Sequence, residues 1–256
     1  PERQYLLHID RGRAAYGRVL READRLIAIS GAVKQDIARY AGADTPVQLI
    51  YNGVLRQERY EELKPTAAER WDRPSPFTFA LVGLIHPSKG QEDAIRALDR
   101  LRKSRPDVKF VIAGNGKDEH LRRLIAELSL GDHVELRGYV NDPFGVFTSA
   151  HACLMCSRNE AMGRVTVEAM ACGLPVIGHA SGGTIELVQD GVNGLLYSSI
   201  EELSERMLLL ANDPAKARAL GKRAMALAAD RFSVEKMGEE MGRVYAGMSA
   251  AAGRRS

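Results

Sequence analysis

The stretch Ala152-Cys-Leu-Met-Cys156-Ser-Arg-Asn-Glu160-Ala-Met-Gly163-Arg-Val-Thr-Val-Glu168-Ala-Met-Ala-Cys-Gly173-Leu-Pro175-Val-Ile177 decides how this sequence folds. Its opening run, Ala152–Cys156, is continuously apolar, as a strand covered on both faces must be. Ser157 to Gly163 is polar and small enough for a loop. The next segment carries no helix breaker until Gly173 and Pro175, after which Pro175–Ile177 begins another apolar run. Strand, loop, helix, strand is a crossover unit, the connection that parallel strands require.

The same alternation extends outward in both directions. Apolar runs Phe77–Leu84, Val108–Ala113 and Val134–Leu136 come before, and Leu195–Tyr197 comes after. Between them, Ala94, Ile95, Leu98 and Leu101, then Leu121, Leu124, Ile125 and Leu128, recur at helical spacing. The expected fold is α/β, a Rossmann-like doubly wound parallel sheet followed by C-terminal helices, with ligands received at the carboxyl ends of the strands. Past Tyr197 the pattern is helical: Ser199 and Glu202 have capping-box spacing, and Leu203, Met207, Leu208 and Leu210 begin an apolar face. A last helix, Ser233–Tyr245, carries Val234, Met237, Met241, Val244 and Tyr245, with Met248 beyond it, as a stripe expected to pack against another body. Residues 246–256 are expected to fray.

Upstream of the sheet, a helix Arg11–Glu22, a strand Leu26–Ile29, a helix from Ser30 and a strand Val47–Tyr51 are too few for a domain. The segment from Asn52-Gly53 through Trp71-Asp-Arg-Pro74-Ser-Pro76 suits an exposed connection. The expected division is residues 1–52 ahead of a connection at 53–76, a main domain at 77–231 and a last helix and tail at 232–256. The sequence opens at Pro1 without Met, so an N-terminal piece is expected to be missing.

Composition narrows the function. The 256 residues carry 36 Lys and Arg against 33 Asp and Glu, net +3, with 45% hydrophobic content, so a disordered chain is excluded and a dedicated nucleic-acid binder disfavoured. No apolar run approaches the ~18 residues of a membrane span. Cys153 and Cys156 form a C-x-x-C without the second Cys/His pair a zinc site would want; with Cys172 they read as buried reduced thiols in a cytoplasmic protein. His8, His120, His133, His151 and His179 have no partner spacing and read as surface or structural residues.

The chemistry concentrates after Cys156. Two carboxylates eight positions apart, Glu160 before a helix and Glu168 within it, flank a helix start whose first N–H groups are unpaired, and Gly163 lets a ligand approach the backbone. A diphosphate suits the helix N-terminus, a ribose diol suits Glu168, and Glu160 would face the sugar. Gly114-Asn-Gly116 also follows a strand, but it lacks the third glycine of the dinucleotide fingerprint, which disfavours a nicotinamide enzyme.

With Glu160 and Glu168 in place, the sequence resembles the retaining glycosyltransferase family 4, the group 1 glycosyltransferases, whose donor domain carries Glu-x7-Glu. The resemblance extends through Glu168 to Ile177, Gly182-Gly-Thr-Ile-Glu-Leu-Val188, Asp190 to Tyr197, Asn52-Gly-Val54 and Gly83 to Gly90. It implies a GT-B architecture with the nucleotide sugar on the C-terminal domain, residues 77–231, and the acceptor on a largely missing N-terminal one, of which residues 1–52 would be the remnant and to which residues 232–256 would return as a crossover helix and tail. Glu160 is then the catalytic residue, and Gly83, His86, Lys89, Val140 in the base-contacting loop, Gly163, Arg164, Val165, Glu168, Gly182 and Gly183 bind the donor. The family's usual Arg after Gly83 is Leu84 here, which leaves a charge deficit at the diphosphate that His86, Arg158 or Arg164 would have to cover.

The expected reaction moves a sugar from a nucleoside diphosphate sugar, UDP- or GDP-linked, to a hydroxyl acceptor with retention, in polysaccharide or glycolipid assembly, using neither cofactor nor metal. Peripheral contact with the inner face of the membrane is an option for the full-length protein. The alternative, motivated by Leu84 and the missing half, is a non-catalytic nucleotide-sugar-binding or interaction module. A pyridoxal-dependent phosphorylase of the same architecture is disfavoured by chain length and the lack of a cofactor-lysine context.

Overall fold

A computed structural model describes residues 10–72 and 76–252; His8, the stretch Arg73-Pro74-Ser75 and the terminal Arg254 and Arg255 lie outside the described residues. The chain runs α1 (Asp10–Glu22), β1 (Leu26–Ala28), α2 (Gly31–Ala41), β2 (Val47–Leu49), α3 (Gln57–Glu69), β3 (Phe77–Val82), α4 (Gln91–Arg102), β4 (Val108–Ala113), α5 (Glu119–Glu127), β5 (Val134–Gly138), α6 (Phe144–Thr148), β6 (Ala152–Met155), α7 (Arg164–Ala171), β7 (Val176–His179), α8 (Thr184–Leu187), β8 (Gly194–Tyr197), α9 (Ile200–Asn212), α10 (Pro214–Arg231) and α11 (Val234–Ala252).

Six strands form one parallel sheet in the order β5-β4-β3-β6-β7-β8, and β1 and β2 pair in parallel as a separate ribbon. Alternate residues of the strands feed two cores. Phe77, Phe79, Leu81, Phe110, Ile112, Leu154, Ile177, Leu195 and Tyr197 pack with α4, α5 and α9 on one face. Ala80, Val111, Cys153, Met155 and Val176 pack with α3, α6, α7 and α10 on the other. Burial on both faces is why five strands lack a hydrophobic/polar alternation; edge strand β5 has one, with Glu135 and Arg137 exposed and paired to each other. The chain builds β3, β4 and β5 outward, then returns to lay β6 on the other side of β3. The connections from β3 and β6 therefore diverge, and a crevice opens between their carboxyl ends.

Three expectations need correction. The segment 53–76 is not an exposed connection throughout: residues 57–69 form α3, whose Tyr60 and Leu63 are buried, and Arg70 is buried with its guanidinium donating to the carbonyls of Cys172 and Phe147. The tail does not fray from Ala246, because α11 continues to Ala252. Val244 is buried on that helix as expected, but Tyr245 is exposed and off the packing stripe. The capping pattern at α9 holds with a shift: Ser199 Oγ accepts the Glu202 N–H at 3.2 Å, while the Glu202 carboxylate accepts the N–H of Ser198 at 2.7 Å. The three cysteines are free and buried, and burial pushes the Cys156 and Cys172 thiols up to about 12.

Candidate functional site

The crevice between β3 and β6 holds a cavity of about 430 Å³. Leu81 to Leu84 line it from the end of β3, Leu154 to Ser157 from the end of β6, and Glu160 to Val165 from the loop into α7. Ile29 and Asn52 close it from the N-terminal segment. Two of the expected residues meet here directly: Lys89 Nζ donates to Glu160 Oε2 at 2.8 Å, with both side chains about three-quarters buried.

Local geometry explains how 71 positions of sequence separation close to an ion pair. Past Gly83, Ile85 N–H donates to the Asn115 carbonyl and the buried Gln91 side chain donates to the Leu84 carbonyl, so the loop is held at both ends of Leu84. His86 caps the turn Pro87–Lys89, its ring accepting the Ser88 N–H, which delivers Lys89 toward the cavity. On the other side, Asn159 and Gly163 take left-handed backbone, φ 59° and φ 78°, and bend the chain around Glu160. A Cβ on Gly163 would also crowd Glu160 Cγ at 3.2 Å.

The remaining expected residues sort into those that line the cavity and those that build it. Gly83, Gly163, Arg164 and Val165 line it. Arg164 stands at the first position of α7, exposed and in no ion pair among the described residues. Arg158, the other arginine candidate, is paired to Asp93 at 3.2 Å. Glu168 lies one turn into α7, partly buried; desolvation raises its carboxyl above the ordinary range, against the pull of the Arg164 charge. Val140 packs on the core beneath the loop after β5.

Gly182 and Gly183 sit behind the loop that carries Glu160. Gly183 N–H donates to the Glu160 carbonyl at 2.7 Å, and an added Cβ would fall 2.6 Å from the Glu160 oxygen at Gly182 and 2.2 Å from the Ala161 oxygen at Gly183. The Gly183 amide is thus already committed, and α8 is a single turn that offers little dipole of its own. Gly114 is likewise a buttress, its Cβ position lying 1.7 Å from the Gly83 oxygen. Among the described residues, no group of three or more His, Cys, Asp or Glu is placed to hold a metal ion, and no helix is long and apolar enough to cross a membrane.

Sequence reasoning gave no site role to Gln91, Ile29 or Asn52. Gln91 had a signal: a polar residue at the start of an amphipathic helix, on the buried side. Asn52 stands in the Asn52-Gly-Val54 segment of the family resemblance, but only the tertiary fold carries it and Ile29 to the crevice.

The chain as a whole has counterparts among known proteins. The sequence profile described as "Glycosyl transferases group 1" matches residues 66–226. The chain belongs to the group 1 glycosyltransferases.

A GDP-mannose-dependent monoacylated alpha-(1-6)-phosphatidylinositol monomannoside mannosyltransferase of Corynebacterium glutamicum is 34% identical over 165 residues, covering 60% of this chain and 43% of that protein. A D-inositol 3-phosphate glycosyltransferase of Streptomyces bingchenggensis is 28% identical over 246 residues, 90% of this chain and 54% of that one. The present chain thus spans about half the length of these two relatives. Among solved structures, HepE of Anabaena in complex with UDP-glucose superposes with a TM-score of 0.81 at 25% identity, covering 94% of this chain and 69% of that chain. The six-stranded parallel sheet with its flanking helices matches the fold of GT-B glycosyltransferase structures.

Proposed function

We propose that this chain binds a nucleoside diphosphate sugar in the crevice between β3 and β6 and, within the full-length protein, transfers the sugar to a hydroxyl acceptor with retention. The observation that carries the reading is the Lys89–Glu160 ion pair in that crevice, at the start of α7. A partly buried lysine beside a carboxylate can do two things at a phosphosugar bond: the ammonium takes charge that develops on the departing diphosphate, and the carboxylate faces positive charge that develops at the sugar carbon. Arg164 and the first amides of α7, which have no intrahelical acceptor by position, offer the diphosphate further positive charge where Leu84 offers none. Glu168 accepts hydrogen bonds from the ribose diol.

UDP or GDP is the nucleotide expected, since relatives and neighbours are described with GDP-mannose and UDP-glucose. The acceptor side, polysaccharide or glycolipid, belongs to the part of the protein beyond the described crevice. Leu84, half exposed at the mouth of the site, favours one second reading, a module that binds nucleotide sugar without turning it over.

Calorimetric titration with UDP, GDP and ADP, with and without magnesium, tests the binding. Selective, metal-independent binding of one nucleotide is expected, weakened by about 1–3 kcal/mol in Glu168→Ala. Binding of none removes the proposal. In the full-length protein, Glu160→Gln should lower turnover by at least about 100-fold, as loss of a transition-state charge does; a wild type that binds but never transfers or hydrolyses the sugar establishes the second reading.

A further inference from the structure

Glu186 has no task in the donor site, yet among the described residues its side chain makes the densest set of long-range hydrogen bonds. It stands on α8, three residues after Gly183. Its Oε2 accepts the Gly31 N–H at 2.7 Å and the Tyr51 hydroxyl at 3.1 Å, and its Oε1 accepts the Ala32 N–H at 2.9 Å. All three donors come from the first 52 residues, more than 130 positions away.

The start of α2 is built to need this carboxylate. Of its first amides, Val33 N–H goes to Ser30 Oγ and Lys34 N–H to the Ser30 carbonyl, which leaves Gly31 and Ala32 without an acceptor of their own. The first turn of α2 contains no acidic residue, so the anion that a helix N-terminus favours arrives from the other side of the crevice. Gly31 leaves room for it: a Cβ there would lie 3.2 Å from the carboxylate. Burial and the neighbouring carboxylate raise the Tyr51 phenol, which keeps it a neutral donor.

What the donors adjoin gives the contact a meaning beyond capping. Ile29 and Asn52, the two N-terminal residues that line the cavity, sit two positions before Gly31 and one after Tyr51. At the other end of the link, Gly183 N–H holds the carbonyl of Glu160. One short strap therefore runs from the N-terminal wall of the crevice, through Glu186 and α8, to the backbone of the residue that carries the chemistry.

We propose that Glu186 is a positioning residue, which fixes the separation of the two walls of the crevice and thereby the placement of Glu160 against a bound sugar. The catalytic part of this inference rests on the glycosyl-transfer reading; the strap itself does not.

The test joins a distance to a kinetic split. Lys34 and Lys222 are exposed, one on α2 and one on α10, and the native cysteines are free but buried. Spin labels on Lys34→Cys and Lys222→Cys in the full-length protein read the separation of the two bodies by pulsed electron paramagnetic resonance. Glu186→Ala should broaden that distance distribution. With it, kcat at saturating donor should fall by about 10- to 100-fold, as a displacement on the order of 1 Å does, while the nucleotide Kd stays within about threefold because the donor contacts are untouched. Glu186→Gln, which keeps one acceptor oxygen, should restore part of both. Tyr51→Phe, which removes one bond and keeps the ring, should move both in the same direction by less.

An unchanged distance distribution in Glu186→Ala overturns the strap. A broadened one with unchanged kcat overturns the positioning role. If the wild-type protein transfers no sugar, the functional reading fails separately, and the distance measurement alone decides whether the strap exists.

Discussion

Glu168 and His151 are both drawn out of water, and they answer pH in opposite senses. Burial raises the Glu168 carboxyl, so the folded state holds its proton more tightly than the unfolded chain. Stability from this group is full below the ordinary value of 4.5 and is lost as pH rises through the folded value. At neutral pH the site therefore keeps a partly desolvated carboxylate at a cost, which a ribose diol would offset on binding. Glu168→Gln should melt at or above the wild-type temperature at pH 7, with the gap closing below pH ~4.5, while its nucleotide affinity falls; paired thermal melts and titrations check this. His151 is the reverse case. Its ring accepts the Thr78 N–H at 3.0 Å and stacks on Phe77 at 5.0 Å, and burial, helped by the Arg70 charge, lowers it to about 4. Its contribution is present above pH 6.5 and lost as pH falls toward 4, worth on the order of 3 kcal/mol in full. His151→Asn keeps an acceptor for Thr78 but does not titrate, so the slope of stability against pH between 6.5 and 4 should flatten whatever the variant's absolute stability; denaturant titrations across that range measure it.

At the scale of elements, the site is a loop clamped from behind. Residues 157–163 leave β6, turn at Asn159 and enter α7, while the turn between β7 and α8 presses two glycines into their backbone. Gly183→Ala would place a methyl group 2.2 Å from the Ala161 carbonyl oxygen, a fixed backbone atom that cannot rotate away. The loop must move, at a cost of about 1–3 kcal/mol of stability and with Glu160 displaced from Lys89. A lower melting temperature together with weaker nucleotide binding is expected, and binding unchanged at reduced stability would detach α8 from the site. The main strands were legible in the sequence because two-sided burial writes itself as unbroken apolar runs. Glu160 and Gly163 stood out because their loop joins a strand end to a helix start, whereas Lys89, on the loop after β3, was named only through the family resemblance. α3 was not, since Tyr60 and Leu63 are its only buried residues, Pro65 stands inside it and most of its other residues are charged or polar. Glu186 was quoted within a motif but given no role, because its partners are two main-chain amides and a phenol that nothing local predicts.

For the whole molecule, the question is how the N-terminal piece is fastened. Its own core among the described residues is small: Leu20, Ala28, Ile37, Ala41 and Val47, with Tyr16, Leu26, Val33 and Tyr40 packed around them. So little buried surface does not hold a fold alone. Besides the Glu186 strap, the fastening is a crossing where residues 53–57 meet the start of α11. Val54 N–H donates to the Phe232 carbonyl at 2.8 Å, Val234 N–H to the Leu55 carbonyl at 2.9 Å, and Gln57 N–H to the Glu235 carboxylate at 3.0 Å. Tyr51 meets Phe232 edge-on at 5.3 Å, and Arg231 covers the Tyr51 ring. Gly53 permits this approach, because its Cβ position lies 2.5 Å from Val234 Cα and 2.8 Å from the Ser233 oxygen. Gly53→Ala must therefore push the two segments apart, weakening the crossing while leaving the sheet β3–β8 with its cores intact. Amide exchange in α1, β1, α2 and β2 should accelerate by roughly 5- to 150-fold, the equivalent of about 1–3 kcal/mol, with β3 to β8 unchanged. Hydrogen exchange read by mass spectrometry resolves the two regions. Equal acceleration in both would mean that the N-terminal piece and the six-stranded domain open as one cooperative unit, and that the crossing is continuous with the main core.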